Sequence, residues 1–475
     1  LLGKPLPDWL RELCVCPEAM WEGVPHAERS LWNARLFPVG EGEAVAEAVP
    51  WLGETTGREF RERVDRWRAH RRTSMAEAHR CFDARRWWTH EQQIRACCFA
   101  SQLESAVRHG DGPAISALLW APETTEAART LARRRLRSLG QAAPASLTGA
   151  RAWVVASSLT EPPAPTLRER GLQVLSRTLV QECRLGNGGL EWQIAPEAWV
   201  EAEAPVRVDL AGGWTDTPPQ MCERGGAVLN LALRLDGRRP LAARVERLAA
   251  PVVELIAADL DVHRTLSANP SPRRPDPRDP FGIHGGALRL IGLFSDLPLR
   301  ERLRRMGGGL RLTTTAGVPK GSGLGTSSIL GAVVLAALHR AFGLGQSPNE
   351  LCLAVLRLEQ WMGTGGGWQD QVGGMWGGVK FAASAPGIDQ VPQVEPLRLS
   401  RAVQQGLAER MVLFYTGEPR LARDVLQRVV SRYMVGEPAT MAALEAMPGL
   451  VQQARAALLH ADWEGLGRCL DRSWE

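Results

Sequence analysis

The segment Pro319-Lys320-Gly321-Ser322-Gly323-Leu324-Gly325-Thr326-Ser327-Ser328 constrains this chain more than any other. It follows a run that reads as a strand, Leu310–Thr314, and opens into an apolar helix, Ser327–Phe342. Alternating glycines let the backbone approach a bulky anion closely. The N–H groups of the loop and first helical turn then face that anion, and the helix dipole adds positive potential at the same place. Thr326 and Ser327 can cap the helix and offer hydroxyls to a phosphate or to a phosphate-bound Mg²⁺. The pattern departs from a Walker A loop, because no Gly-Lys-Ser or Gly-Lys-Thr closes it. It departs from the dinucleotide fingerprint too, whose third glycine is absent. A plain turn before a buried helix is the competing reading. Three glycines and four hydroxyls within residues 321–328 argue against it.

Two further constellations carry chemistry. In the run from Pro205 to Pro219, Arg207 and Asp209 share one face of an expected strand, which breaks at Gly212-Gly213. Trp214, Thr215 and Asp216 then stand on a loop. An indole face beside a hydroxyl and a carboxylate is what a sugar pocket needs, although a structural Arg–Asp pair explains the pattern nearly as well. In the run from Glu359 to Gly374, Glu359 sits near the end of an expected helix, Pro348–Trp361. A glycine loop containing Gly366 and Gly367 follows, and then Asp370 between two glutamines. Asp370 could deprotonate or orient a hydroxyl, and Glu359 could hold Mg²⁺. With the glycine loop, these supply the parts of phosphoryl transfer: an anion cradle, a metal ligand and a group that positions the nucleophile.

Around these motifs the chain is ordinary globular text. Its 475 residues predict about three domains. It is 44% hydrophobic and 23% charged, which excludes wholesale disorder, and no apolar run approaches the roughly 20 residues of a membrane span. The net charge of +5 points to no nucleic-acid partner. Lysine occurs only at Lys4, Lys320 and Lys380, so nearly all basic residues are arginine. The nine cysteines include no CxxC pair; Cys14, Cys16, Cys97 and Cys98 read as packed, reduced thiols in a cytoplasmic protein. Arg133-Arg134-Arg135-Leu136-Arg137 reads as a solvated helix face.

Residues 1–55 are punctuated by proline and read as irregular, the tail of an upstream region. From 56 to 195 the expectation is helical: Glu59–Arg72, Ser74–Arg86, His90–His109, Gly112–Leu119, Glu123–Leu139 and Thr166–Arg184, with a non-helical Pro/Ala stretch over Ala142–Pro165. After 195, strands are expected at Pro205–Leu210, Ala227–Leu233, Leu241–Val245, Val252–Ile256, Leu310–Thr314, Met375–Phe381 and Met411–Thr416. Helices are expected at Gly286–Phe294, Ser327–Phe342 and Pro348–Trp361, and an exposed loop over Ser267–Asp279. Strands alternate with helices, so the fold class is α/β or α+β.

The 205–216 and 319–328 segments resemble the first two motifs of the GHMP small-molecule kinases. Within that family, residues 212–219 and 364–371 resemble the L-fucose kinases. The resemblance implies a GHMP kinase fold, with a ribosomal S5 domain 2-like N-terminal lobe over 196–395, an incomplete C-terminal lobe over 396–475, and a helical connecting region before them. It implies transfer of the γ-phosphoryl group of ATP, with Mg²⁺, to the anomeric hydroxyl of L-fucose, in salvage toward GDP-fucose. By motif position, Pro319, Lys320, Gly321, Ser322, Gly323, Leu324, Gly325, Thr326 and Ser327 would cradle the triphosphate. Ser327 and Glu359 would ligate Mg²⁺. Asp370, with Arg207 near it, would act on the hydroxyl, and Gly213, Trp214, Thr215, Asp216, Gly366 and Gly367 would meet the sugar.

Two departures qualify the resemblance. The family's third motif, a glycine-rich run near the C-terminus, has no counterpart after Gly374, and no nucleotide signature precedes residue 195. With Leu rather than Met at position 1, the expectation is an interior portion of a larger protein. Two alternatives stay open: a sugar- or nucleotide-binding fragment without turnover, and a related kinase acting on a heptose or galactose.

Overall fold

The computed structural model describes residues 5–12, 16–40, 58–180, 189–270, 276, 279–294, 297–319, 321–345, 347–389, 391–417 and 422–474. It divides into two compact units, Leu1–Arg95 and Ala96–Glu475. The first holds helices Leu6–Glu12, Arg58–Ala69 and Met75–Arg80, and a short antiparallel pair, Phe37–Pro38 with Arg72–Thr73. Its core gathers Met20, Trp21, Leu36, Val64 and Trp67. The expected Ser74–Arg86 helix stops at Arg80, and Asp83 starts a new one, Ala84–His109, by accepting from the N–H groups of Arg85 and Arg86. Helix Ala84–His109 runs across the division between the units.

The second unit begins with a helical segment: α1 (Gly112–Leu119), α2 (Glu126–Ala142), α3 (Leu147–Ser158) and α4 (Pro165–Val180). Helix α3 corrects the expectation of a non-helical Ala142–Pro165. The prolines at 144, 162, 163 and 165 flank it, and Ser146 caps it by accepting from the Gly149 N–H. Residues 181–184, the expected end of α4, lie outside the described residues.

A five-stranded sheet follows. It is built from β1 (Trp199–Ala204), β4 (Leu241–Leu248), β5 (Val253–Ala257), β6 (Val262–Leu266) and β7 (Gly309–Ala316), in the order β1-β4-β7-β5-β6. All pairs are antiparallel except β5–β7. Period-two burial is clean: Leu241, Ala243 and Val245 of β4 face inward beside Leu310 and Leu312 of β7. Helix α8 (Thr326–Phe342) lies on this sheet and is buried nearly all round, because α6 (Gly282–Leu290) and α9 (Pro348–Met362) cover its other side.

A four-stranded sheet completes the core. Its strands are β2 (Val206–Ala211), β3 (Gly226–Leu233), β8 (Val379–Ser384) and β9 (Gln393–Pro396), in the order β9-β8-β3-β2. One face packs Leu210, Leu229 and Val379 against α13 (Pro438–Leu459) and α14 (Trp463–Trp474). Val228 and Ala382 of the other face share a core with Val154 of α3, Leu175 of α4, Cys352 and Leu356 of α9, and Trp368.

Other expectations need correction. Of the expected strand Met375–Phe381 only Val379–Phe381 is extended, as the start of β8; Met375 ends α10 (Gln369–Met375), the helix that follows the glycine loop and carries Asp370. Met411–Thr416 forms no strand; Val412 is 90% and Phe414 81% exposed, so the alternation faces water. Cys16, Cys97 and Cys98 are exposed rather than packed, and Cys14 lies outside the described residues. No helix among the described residues is long and apolar enough to cross a membrane.

Candidate active site

Arg207 and Asp370 meet where β2 packs against α10. Arg207 stands on β2, and its Nε donates to Asp370 Oδ1 at 2.9 Å while Nη2 donates to the same oxygen. Its Nη1 reaches the Gly323 carbonyl at 3.2 Å, and its own N–H donates to the Leu324 carbonyl at 3.3 Å. The glycine loop is thereby tied to the Arg207–Asp370 pair. Gly325, with φ +73°, sits against both; a Cβ there would come within 3.2 Å of Arg207 Cγ and of Asp370 Cβ. Only glycine combines that left-handed backbone with that approach. The Asp370 side chain keeps 27% exposure, so its carboxylate still reaches solvent.

Behind the loop, Thr326 opens α8, and Ser327 and Ser328 point to Glu359. Their hydroxyls donate to Glu359 Oε1 at 2.8 and 3.0 Å, and the Thr364 hydroxyl donates to Oε2. Glu359 is 3% exposed, and burial pushes its pKa up. Its hydrogen-bond partners are neutral hydroxyls. A buried carboxylate joined to a serine hydroxyl at a helix N-terminus is a set of hard oxygen donors, which fits Mg²⁺ beside a phosphate. Lys320 lies outside the described residues.

The helix bearing Asp370 rests on a polar row crossing three strands. Asp209, Asn230 and Lys380 are register partners on β2, β3 and β8. Asn230 Nδ2 donates to the Gln369 carbonyl at 3.1 Å, at the start of α10. At its end, Lys380 Nζ donates to the carbonyls of Gly373 (2.8 Å), Trp376 (2.6 Å) and Gly378 (3.1 Å). Lys380 is fully buried, and desolvation pulls its pKa to about 7. Asp209 Oδ2 accepts from the Gly213 N–H at 3.1 Å, and burial lifts its pKa to about 6. Sequence reasoning missed Asn230, Lys380 and the seating role of Asp209. The available signal was an Asp, an Asn and a Lys on successive strands whose neighbours are apolar.

The loop expected to face a sugar is largely folded inward. The Thr215 hydroxyl donates to the Gly212 carbonyl (2.7 Å) and lies 2.9 Å from the Ala227 carbonyl, and Thr215 is fully buried, so it shapes the loop. Trp214, at φ +82°, packs its half-buried indole against the cluster of Tyr433, Met441 and Leu444. Asp216 is fully buried; its Oδ2 accepts from the Gln369 N–H at 2.9 Å, and burial raises its pKa to about 7. Gly367 makes that contact possible, since a Cβ there would fall 2.1 Å from Asp216 Oδ2. Gly366 presents its carbonyl to Gln360 Nε2 at 2.8 Å. Gly213 lies against Asp209 Oδ2. The 213–216 and 366–370 segments are thus brought together, and Asp216 seats the residue preceding Asp370.

Residues 296–378 match the family model described as the GHMP kinases N terminal domain. The similar proteins include two fucokinases and a heptose 7-phosphate kinase. The chain is 29% identical over 505 residues to the bifunctional fucokinase/GDP-fucose pyrophosphorylase of Arabidopsis thaliana, covering 99% of this chain and 47% of that protein. It is 35% identical over 283 residues to the L-fucokinase/L-fucose-1-P guanylyltransferase of Bacteroides fragilis, covering 58% of this chain and 30% of that one. It is also 27% identical over 280 residues to the D-glycero-alpha-D-manno-heptose 7-phosphate kinase of Campylobacter jejuni, covering 58% of this chain and 76% of that enzyme. The chain spans less than half the length of the two fucokinase relatives.

Proposed function

We propose that this chain carries the kinase part of a fucokinase and transfers the γ-phosphoryl group of ATP to the anomeric hydroxyl of L-fucose. The observation that carries the reading is the Asp370 carboxylate, about a quarter exposed, paired with Arg207 against Gly325 of the glycine loop. A hydroxyl-orienting group beside an anion cradle would supply the two elements that phosphoryl transfer needs most. Glycines 321, 323 and 325, all with positive φ, let the loop backbone approach a triphosphate. Ser327 and Glu359 would hold Mg²⁺, which when bound neutralises phosphate charge. Asp370 receives the sugar hydroxyl and its proton, and Arg207 holds the carboxylate in place. Similarity to two fucokinases supports L-fucose as the sugar.

The test is ADP release by the purified chain with Mg·ATP and, in separate reactions, L-fucose, D-galactose and a heptose 7-phosphate. L-Fucose should give the highest kcat/KM, and Asp370→Asn should lower kcat by roughly 10²–10⁴-fold, the usual worth of a positioned general base. Turnover by Asp370→Asn at the unsubstituted rate would overturn the role of Asp370. Preference for the heptose phosphate would replace the substrate, and nucleotide binding without turnover would leave a binding module.

A further inference from the structure

A second charged cluster lies away from the Arg207–Asp370 pair, and nothing in the proposed chemistry uses it. Arg151, on α3 of the helical segment, is 4% exposed, and its Nη2 donates to Glu223 Oε1. Tyr433, on α12 (Ala422–Met434), is also buried, and its hydroxyl donates to Glu223 Oε2 at 2.8 Å. Glu223 belongs to α5 (Gln220–Arg224), the short helix that follows the Asp216 loop. Three parts of the chain far apart in sequence therefore converge on one carboxylate.

The surroundings are shaped for this meeting. Gly110, at φ +69°, passes under the Arg151 guanidinium, and a Cβ there would lie 3.0 Å from Nη1. Gly436, at φ +70°, lies so close to Gly112 that a Cβ would fall 1.9 Å from its carbonyl oxygen. The turn before α1 is pressed onto the turn after α12. Burying an ion pair is a poor way to gain stability, since desolvation cancels most of the attraction; its best-attested use is to fix one arrangement among several.

The arrangement it fixes leads to Asp370. Helix α5 is joined to the Asp216 loop without slack: the Met221 N–H donates to the Thr217 carbonyl and the Cys222 N–H to the Pro219 carbonyl. Asp216 in turn holds the Gln369 N–H, one residue before Asp370. Trp214, in the same loop, packs against the small cluster that holds Tyr433 with Met441 and Leu444. We propose that Arg151, through Glu223 and with Tyr433, is a positioning residue for the sugar half of the site, making the helical segment a working part of the kinase. The inference rests on the kinase reading above.

The test uses the whole chain with Arg151→Gln, Arg151→Lys and Tyr433→Phe; the last removes only a hydroxyl and guards against misfolding. Each is measured for L-fucose binding by calorimetry, for kcat/KM toward L-fucose, for ATP affinity and for melting temperature. Arg151→Gln and Tyr433→Phe should weaken sugar binding and lower kcat/KM by roughly tenfold to a hundredfold, as a displaced reacting geometry does. ATP affinity, governed by the loop on α8, should stay within about twofold, and Arg151→Lys should recover part of the loss. Unchanged sugar parameters overturn the proposal, and so does a parallel fall in ATP affinity that tracks melting temperature. An unsubstituted chain that binds L-fucose without turnover defeats the kinase reading while the sugar-binding arm still decides this one; one that does not bind L-fucose defeats both.

Discussion

Asp216 and Asp209 keep carboxyls away from water, and each does so for a mechanical end. Asp216 anchors the Gln369 N–H and Asp209 the Gly213 N–H, which locks two loops to each other. Burial raises the first to about 7 and the second to about 6, from an ordinary value of 3.8. An acid that holds its proton more tightly folded than unfolded adds stability below its unfolded pKa and loses it as pH climbs through the folded value. The unit should therefore lose stability as the pH rises from about 4 to 7. Urea midpoints measured across that range should fall for the unsubstituted chain. In Asp216→Asn the slope near pH 7 should flatten; an unaltered slope would mean that this carboxyl is ionised throughout.

At the scale of elements, α10 is the informative case. Its sequence, Gln369 to Met375, has two adjacent glycines and no amphipathic stripe, so nothing local announces a helix. Tertiary contacts supply what propensity lacks: Asn230 holds the carbonyl at its start, and Lys380 gathers three at its end. Replacing Lys380 with Met keeps the apolar stem and removes the donor shared by the Gly373 and Trp376 carbonyls, at about 1–3 kcal/mol for each carbonyl left unpaired, while the Gly378 carbonyl keeps the Ala232 N–H. Lys380→Met should lower the urea midpoint sharply and cut turnover with it, because Asp370 rides on that helix; a wild-type midpoint would refute the seating role. By contrast, β3, β4 and the start of β8 are legible as short runs with β-branched residues bounded by turn signals, and the glycine loop from its own punctuation. The exposed edge strand Val262–Leu266 has no such contrast between its faces and escaped notice.

For the 96–475 unit as a whole, the boundary drawn from composition near residue 195 does not interrupt the packing. Val154, Val174 and Leu175 lie in one cluster with Leu356, Trp368 and Val372. Composition marks where helices give way to strands, yet says nothing about which faces meet, so the tie between α3–α4 and the site was invisible in the sequence. Arg207, Asp370 and the glycine loop were legible because their chemistry demands unusual residues; Arg151 was one arginine among many. Leu175→Ala should cost about 2–5 kcal/mol. Hydrogen exchange should then quicken in Trp368–Met375 as well as in α4; quickening confined to α4 would show two independent cores.

The open stretch Val412–Tyr415 has a practical consequence. Val412 and Phe414 point to water beside Leu413 and Tyr415, and the segment carries no charge and no proline. Extended backbone of that composition is a template for pairing with a second molecule. Concentrated solutions of this chain will be limited by self-association seeded there, and a lysine at 412 or 414 is the simplest gatekeeper against it.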